Sequence, residues 1–165
     1  MSKKIVNHES QTVGFLTHPD KRLHQESREY RESDSISELN KILHGMLFDK
    51  PRAQGLSLVQ AGMLIRGCIL NVKGKITIMY NPRIVRSLGK WRSLEGCISV
   101  SDRYFKPRPI FTKVEFIGED GIKQVKWFGR RYSRIISHEI DHMNGILISD
   151  GGKRWWGSNY EKKHS

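Results

Sequence analysis

The stretch YSRIISHEIDHMNG, residues 132–145, decides the fold of this chain. Its apolar residues recur with the period of a helix: Ile135, Ile136, Ile140 and Met143. Gly145 follows directly after the last polar residue and is placed to end the helix. The pattern therefore predicts a helix from about residue 132 to residue 144 with one face in the core.

The same stretch contains His138-Glu139-Ile140-Asp141-His142. Positions i and i+4 lie on one face of a helix, so His138 and His142 can point two imidazoles at one metal ion. Glu139 is then close enough to exchange protons with a water molecule on that metal without being a ligand. Asp141 is expected to support the site by orienting a ligand imidazole or a basic neighbour. The motif predicts an enzyme.

Catalytic metal sites usually have three protein ligands and one open position, so a further ligand is needed. The candidates are Cys68, Cys97, another histidine or a carboxylate. Cys68 lies in an apolar run typical of a buried strand, where a thiol is ordinary. Cys97 follows Gly96, where the chain can bend and present both a thiolate and the next backbone N–H, and is the stronger candidate. A Cys-His-His set suits Zn²⁺ or Fe²⁺, and the reaction would be hydrolysis of an amide or ester carbonyl.

The rest of the chain predicts one more helix and several short strands. Ser35 and Glu38 form a capping box that opens a helix over residues 34–50. The segment 53–62 is rich in small residues and indicates close approach of its backbone to a neighbour. Few strands beside two helices indicate an α+β fold.

Two hairpins are predicted from turn residues between β-rich runs. The first joins residues 68–72 to 75–80 through Lys73-Gly74, and we expect Asn81-Pro82 to end it, followed by a basic loop through Trp91. The second joins residues 114–117 to 125–127 across a glycine-containing turn.

The length and net charge of the chain limit its domain organisation and its partners. The 165 residues fit one catalytic domain, residues 1–150, followed by a basic tail with two tryptophans, residues 151–165. We expect these tryptophans to cover the body of the protein, with an RNA-docking role for the tail as the alternative. No apolar run approaches membrane-span length, and the N-terminus does not resemble a transit peptide, so we expect a soluble cytoplasmic protein. The formal charge of +12 favours a polyanion such as RNA as a partner.

Three segments, in order, resemble the signature motifs of the peptide deformylase family. They are Gly55–Gln60, Glu95–Ser99 and His138–His142. Further similarity occurs at residues 18–23, at Asn81-Pro82 and at residues 143–147, so the resemblance covers about residues 15–150. The first motif departs from the family pattern at Ser57, Leu58 and Val59, and the chain stops soon after the third motif.

The resemblance implies an α+β fold with small antiparallel sheets packed around a central helix that carries the histidine motif. It implies one divalent metal ion, physiologically Fe²⁺, with Zn²⁺, Ni²⁺ or Co²⁺ possible, and removal of the N-formyl group from nascent peptides that begin with formylmethionine. Cys97, His138 and His142 would bind the metal, and Glu139 would be the general acid and base.

The resemblance also assigns roles around the reacting carbonyl. Gln60 and the backbone N–H of Ile98 would stabilise the oxyanion, and Gly55 would pair its backbone with the peptide. Ile135 would line the methionine pocket, although core packing accounts for it equally well. Arg103 and Arg134 could bind peptide or pair with acidic residues.

The expected partners are a formylated nascent peptide and, through the basic charge, the RNA surface of the ribosome. We expect no membrane association and a monomer. Three alternatives stay open at this point: a catalytically silent homologue that binds peptide or ribosome, a metalloprotease of the His-Glu-x-x-His type, and an RNA-binding module with an incidental metal.

Overall fold

The computed structural model describes residues 14–156, which form two α-helices and eight β-strands. The helices are α1 (Ile36–Asp49) and α2 (Arg130–Met143). The strands are β1 (Gly55–Ser57), β2 (Gly67–Val72), β3 (Lys75–Leu88), β4 (Trp91–Cys97), β5 (Val100–Arg108), β6 (Phe111–Ile117), β7 (Lys123–Phe128) and β8 (Lys153–Arg154). Short 3₁₀ helices cover Lys21–His24 and Leu58–Ala61.

The strands form two antiparallel sheets. A five-stranded sheet has the order β1-β2-β3-β6-β7, and a three-stranded sheet has the order β4-β5-β8. Helix α2 packs against strands of both sheets, so it lies at the centre of the fold. The predicted α+β class with small antiparallel sheets around the motif-bearing helix is confirmed.

Strand β2 is buried on both of its faces, since α1 and α2 pack on opposite sides of the five-stranded sheet. The cluster on the α1 side contains Ile69 together with Leu39, Leu43 and Met46. The cluster on the α2 side contains Cys68 and Leu70 together with Ile135, Ile136 and Met143. Cys68 is fully buried among apolar side chains, as its sequence context predicts.

Helix α1 begins where the capping box places it. Ser35 is the N-cap, and its Oγ accepts a hydrogen bond from the backbone N–H of Glu38 at 3.4 Å. Both predicted hairpins are also confirmed, as β2–β3 and β6–β7. The first turn requires left-handed backbone at two successive residues, Lys73 (φ 54°) and Gly74 (φ 81°).

The prediction that Asn81-Pro82 ends the first hairpin is wrong. Strand β3 continues to Leu88 and pairs with β6, with a register shift between Tyr80 and Arg83. Asn81 has a φ of 49° at this shift, and its side chain bonds both backbone groups of Tyr30 at 2.7 and 2.9 Å. The β-bulge places Pro82 where no ladder donor is needed, so the strand passes through it.

The first residues of the predicted tail join the three-stranded sheet. Lys153 and Arg154 pair with Phe105 and Tyr104 of β5, and the Trp155 N–H donates to the Arg103 carbonyl at 2.9 Å. Trp155 is 37% exposed and Trp156 is 56% exposed, so the tryptophans cover the body only in part. Glu161, Lys162 and Lys163 lie outside the described residues. No helix between residues 14 and 156 combines the length and apolar character needed to cross a membrane.

Candidate metal centre and catalytic cleft

Most of the predicted site residues line one cleft of about 360 Å³. The cleft is bounded by Gly55, Gln60, Cys97, Ile98, Ile135, His138 and Glu139. His142 is nearly fully buried behind it, one helical turn beyond His138. A larger cavity of about 970 Å³ elsewhere on the molecule is lined by none of these residues. The structure thus gathers residues from β1, the Leu58–Ala61 turn, β4 and α2 at one place.

Cys97, His138 and His142 bring one sulfur and two imidazole nitrogens together. Their potential ligand atoms all lie within 4.8 Å of one another, and Cys97 Sγ lies 3.2 Å from His142 Nε2. Two metal–ligand bonds of about 2.0–2.3 Å span up to about 4.6 Å, so the three atoms fit around one cation with little movement. A thiolate with two imidazoles is also a donor set that Zn²⁺ and Fe²⁺ accept.

The elements explain why these side chains meet. Helix α2 presents His138 and His142 on one face, as the i and i+4 spacing predicts. Cys97 is the last residue of β4, directly after a shift in the β4–β5 register between Glu95 and Cys97. The irregularity lies at the tight turn into β5, beside α2, and leaves the thiol at the end of the sheet.

A buried ionic network holds the His138 ring. Glu95 Oε2 lies 3.0 Å from His138 Nδ1, which leaves Nε2 of that ring for a metal. Arg108 makes a bidentate pair with Glu95 at 2.7 and 2.8 Å and reaches Asp141 at 2.7 Å. Burial opposes ionisation of Glu95, but the hydrogen bonds from Arg108 and His138 outweigh it and lower its pKa to about 2. The Glu95 carboxylate therefore stays ionised against Arg108 in the folded protein.

Arg108 is the site residue that the sequence analysis missed. Asp141 was expected to orient an imidazole or a basic neighbour, and the neighbour is Arg108. Glu95 was recognised only as part of a motif. No local sequence pattern marks Arg108, because its burial, which requires a carboxylate partner, arises only in the folded structure.

The pKa values of the two histidines are shifted in opposite directions. Burial lowers the pKa of His142 well below its usual value, and the neighbouring His138 lowers it further. Burial also disfavours charge on His138, but hydrogen bonds to Cys97 and Glu95 raise its pKa to about 10. Metal binding at His138 is therefore coupled to loss of a proton.

Glu139 is buried beside the candidate metal ligands. Burial raises its pKa to about 7, although the nearby His138 charge and a hydrogen bond from Ser57 act in the opposite direction. Its Oε2 atom is buried and has no hydrogen-bond partner within residues 14–156. A carboxyl group with these properties can both accept and donate a proton near neutral pH.

Gln60 is held with its amide nitrogen toward the thiol of Cys97. Gln60 Oε1 accepts a hydrogen bond from the Ser57 N–H at 3.0 Å, which fixes the amide orientation. Gln60 Nε2 donates to Ser99 Oγ at 3.1 Å and lies 3.6 Å from Cys97 Sγ. Ile98 occupies the turn between Cys97 and Ser99 and lines the cleft. Gln60 and Ile98, the two predicted hydrogen-bond donors, thus both lie beside the Cys97 thiol.

Gly55 lies directly against Glu139 and Ile135. A Cβ atom at residue 55 would overlap Glu139 Oε1 and lie 2.7 Å from Ile135 Cγ2. The close backbone approach predicted for this segment is therefore present. Strand β1 is an edge strand, so one side of its backbone has no strand partner among residues 14–156. Ile135 packs in the α2 core cluster and also lines the cleft.

Comparison with known proteins gives the family. The family model described as polypeptide deformylase matches residues 13–155. The chain belongs to the polypeptide deformylase family. It is 33% identical over 150 residues to a peptide deformylase of Thermomicrobium roseum, covering 82% of this chain and 83% of that one. It is 31% identical over 138 residues to a peptide deformylase of Alkaliphilus metalliredigens, covering 81% of this chain and 92% of that one.

A solved structure agrees with this assignment. The crystal structure of a probable peptide deformylase from Synechococcus phage S-SSM7 superimposes with a TM-score of 0.75 at 29% identity, over 82% of this chain and 96% of that one. The protein is thus a deformylase, a hydrolase of protein biosynthesis that acts on formylated nascent peptides. The family also implies a divalent metal.

The departures in the first motif of this deformylase lie outside the cleft wall. Ser57, Leu58 and Val59 are all fully buried, and none of them lines the cleft. Ser57 instead supplies hydrogen bonds to Gln60.

Two arginines of the cleft have no acidic partner among the described residues. Arg103 and Arg134 line the cleft, and neither lies within 4.0 Å of a carboxylate in the described part of the chain. Arg134 donates to Gln54 Oε1 instead, and burial lowers its pKa.

Proposed function

We propose that Cys97, His138 and His142 bind one divalent cation at which this deformylase hydrolyses the N-formyl group of N-formylmethionyl peptides, releasing formate. The observation that carries the proposal is the convergence of the three ligand atoms within 4.8 Å beside a buried Glu139 with an unpartnered oxygen. When bound, such a cation lowers the pKa of water and polarises a carbonyl group.

Glu139 is the proton-transfer residue in this proposal. Its carboxylate takes a proton from the attacking water as the bond to the formyl carbon forms. It then delivers that proton to the peptide nitrogen as the carbon–nitrogen bond breaks, so formate and a free amino terminus leave. Burial of Glu139 excludes bulk water that would compete for the proton.

Gln60 and Ile98 stabilise the negative charge that develops on the formyl oxygen. The Gln60 amide is already fixed near Cys97, because its Oε1 accepts from the Ser57 N–H and its Nε2 donates to Ser99 Oγ, so it needs no reorganisation during the reaction. The backbone N–H of Ile98 follows the thiolate in sequence and supplies a second donor.

Gly55 and Ile135 position the substrate. The free edge of β1 can pair with an extended peptide through main-chain hydrogen bonds, and Gly55 allows that peptide close to Glu139. Ile135 lies beneath Gly55 and offers an apolar wall to the methionine side chain.

The proposed physiological metal is Fe²⁺, as the resemblance to the deformylase family implies. One thiolate and two imidazoles accept Fe²⁺, and Zn²⁺, Ni²⁺ and Co²⁺ fit the same donors. We propose that the enzyme acts as a monomer in the cytoplasm at the ribosome. The +12 formal charge favours association with the polyanionic ribosome, in a manner that weakens with salt.

Formate release from formyl-Met-Ala-Ser tests the activity, with Glu139→Gln as the matched variant. We expect release by the metal-loaded protein and a loss of on the order of 10²–10⁴-fold in Glu139→Gln. Absence of release from both proteins would identify a catalytically silent homologue. Cleavage of internal bonds in unformylated peptides would instead identify a metalloprotease.

A further inference from the structure

A basic and aromatic surface covers the outer side of the three-stranded sheet. We define the basic-aromatic face as the following residues: Lys90, Arg92, Arg103, Phe105, Lys153 and Trp155. The β4–β5 register puts Leu94 opposite Phe105, and the β5–β8 register puts Phe105 opposite Lys153. Because alternate residues of a strand share a face, Arg92 and Arg103 lie on this side as well.

The other side of the same strands is buried. Ser93, Glu95 and Arg108 occupy the alternating positions, and the latter two form the network beneath His138. One side of the sheet therefore carries the network beneath His138, and the other side faces solvent and, at Leu94 and Arg103, the cleft.

Arginines lie over aromatic rings across the basic-aromatic face. The Arg92 guanidinium carbon is 3.9 Å from the Phe105 ring centre, and that of Arg103 is 5.6 Å from the Trp155 ring. A shallow groove of about 390 Å³ passes between Lys90, Arg92, Phe105 and Lys153. The face thus offers flat aromatic and guanidinium planes beside a groove.

The basic side chains of this face have no acidic partners among the described residues. Lys90, Arg92, Arg103 and Lys153 have no carboxylate within 4.0 Å in the region from residue 14 to residue 156. By contrast, Arg154 pairs with Asp102 at 2.8 Å, on the opposite side of β8 from Lys153. Four neighbouring positive charges without counter-charges favour an anionic partner.

We propose that the basic-aromatic face binds RNA. Arginine matches phosphate groups through its planar fork of donors, and aromatic rings with guanidinium planes provide platforms on which unpaired bases stack. An acidic peptide would match the charges, but it carries no bases to stack on the exposed part of the Trp155 ring or on the Arg92 guanidinium that lies over Phe105.

The location of the face links RNA binding to catalysis, and here the inference rests on the proposed function at nascent chains. Arg103 belongs to the face and also lines the cleft, together with Leu94 and Gly96 of the same sheet. RNA held on this face would therefore lie next to the cleft entrance. That position would keep the cleft close to peptides emerging from an RNA-rich assembly.

The test is binding of a labelled oligouridine RNA to the metal-loaded full chain over a range of salt concentrations. The variant Arg92→Gln/Lys153→Gln removes two charges of the face. We expect it to bind about tenfold more weakly at moderate salt and to lower the slope of log affinity against log salt by about 1.4, since each phosphate contact on a single strand contributes about 0.7.

The matched control is Lys75→Gln/Lys126→Gln. These exposed lysines line a groove beside Trp127 on the five-stranded sheet and also lack a carboxylate partner in the described residues. The control should keep both the affinity and the slope of the unmodified protein. Equal weakening in the two double variants would overturn the proposal, because binding would then follow net charge alone.

Two further measurements separate RNA from other polyanions. Phe105→Leu should weaken RNA binding about tenfold without changing the salt slope, since it removes a stacking platform and no charge. Polyglutamate should displace the RNA poorly at equal charge concentration. Unchanged binding by Phe105→Leu, or efficient displacement by polyglutamate, would contradict the proposal.

Formate release from formyl-Met-Ala-Ser is measured on the same preparations. We expect equal rates in both double variants, because the four substituted residues lie outside the cleft lining. RNA binding does not depend on this readout. Absence of release in the unmodified protein would therefore refute the proposed function and leave the RNA result to be judged separately.

Discussion

Gly55 controls the space available to two other side chains of the site. Its missing side chain leaves room for Glu139 and Ile135, and a Cβ atom there would overlap Glu139 Oε1. The requirement is spatial, since Gly55 is not among the glycines with positive φ. Any larger residue must move the proton-transfer carboxylate or the wall of the cleft.

We expect Gly55→Ala to lower kcat/KM for formyl-Met-Ala-Ser by about 10²-fold, because a misplacement of about 1 Å at a reacting group costs that much. Metal content should stay unchanged. Gly14→Ala is the control, as no heavy atom lies within 4 Å of the added Cβ. A Gly55→Ala enzyme with full activity would show that Glu139 does not depend on this contact.

At the residue scale, the buried ion pair between Glu95 and Arg108 is the second feature on which the site depends. Both are buried, and Glu95 also holds the His138 ring at 3.0 Å. We expect Glu95→Gln to weaken metal affinity about 10–100-fold and to lower the free energy of unfolding by about 3–5 kcal/mol. Competition with a chelator measures the affinity, and denaturant unfolding of the metal-free protein measures the stability.

Glu115→Gln is the control for Glu95→Gln. Glu115 also pairs with basic residues, Arg83 at 3.0 Å and Lys123 at 3.2 Å, but on the exposed side of the five-stranded sheet. Its substitution should change metal affinity little, and stability by about 0–1 kcal/mol. Equal effects of the two substitutions on metal affinity would contradict the role assigned to Glu95.

At the scale of elements, the β-bulge in β3 explains why the first hairpin does not end at Asn81-Pro82. It also leads to a prediction about stability. Asn81 adopts positive φ and uses its amide to bond both backbone groups of Tyr30. We expect Asn81→Ala to lower the free energy of unfolding by about 2 kcal/mol, from lost hydrogen bonds and a strained backbone. Asn40→Ala also removes two side-chain bonds, to the Tyr80 hydroxyl and the Glu119 carbonyl, but it leaves an unstrained α-helical backbone and should cost less. An equal or smaller loss for Asn81→Ala would contradict this reading of the bulge.

The segment before α1 is held by an ion pair that predicts a pH dependence. Arg28 bonds both Asp34 oxygens at 2.7 and 2.9 Å, which lowers the pKa of Asp34 to about 2. The pKa is below that of an unfolded aspartate, so the stabilisation is present above about pH 4 and is lost as the pH falls towards 2.

We therefore expect Asp34→Asn to unfold at a lower temperature than the unmodified protein at neutral pH. The difference in Tm between the two should shrink as the pH falls from about 4 to about 2. Thermal unfolding across this range measures it. A difference that is constant with pH would show that the Asp34 charge makes no contribution.

Local patterns allowed the helices and hairpins to be predicted. The capping box at Ser35 and the apolar period of α2 specify helices through neighbours a few residues apart, and Lys73-Gly74 specifies a turn. The extension of β3 was not predictable in the same way. It depends on Tyr30, which is 51 residues from Asn81 in sequence and supplies the bonds that support the bulge.

At the scale of the whole molecule, the residues of the site were predictable because their chemistry is specific. The ionic network that supports His138 was not predictable. Cys97, His138 and His142 were selected by ligand type and helical spacing, and the fold brings them together. Arg108 joins Glu95 and Asp141, which are 13 and 33 residues away. Such a network becomes visible only when β4, β5 and α2 are packed.

The two sheets contribute different parts of the cleft around α2. The five-stranded sheet supplies the core and the β1 edge at which we propose that substrate binds. The three-stranded sheet carries Cys97 and the buried Glu95–Arg108 pair. Both sheets must pack on the same helix for the cleft to form. A single cation bound by Cys97, His138 and His142 would therefore connect the two sheets through α2.

Absorption spectroscopy of the Co²⁺-loaded protein tests that central claim most directly. We predict one Co²⁺ per chain with a thiolate-to-metal charge-transfer band, and loss of that band in Cys97→Ser but not in Cys68→Ser, since Cys68 is buried in β2. A protein that binds Co²⁺ without the band, or that keeps the band after Cys97→Ser, would contradict the account.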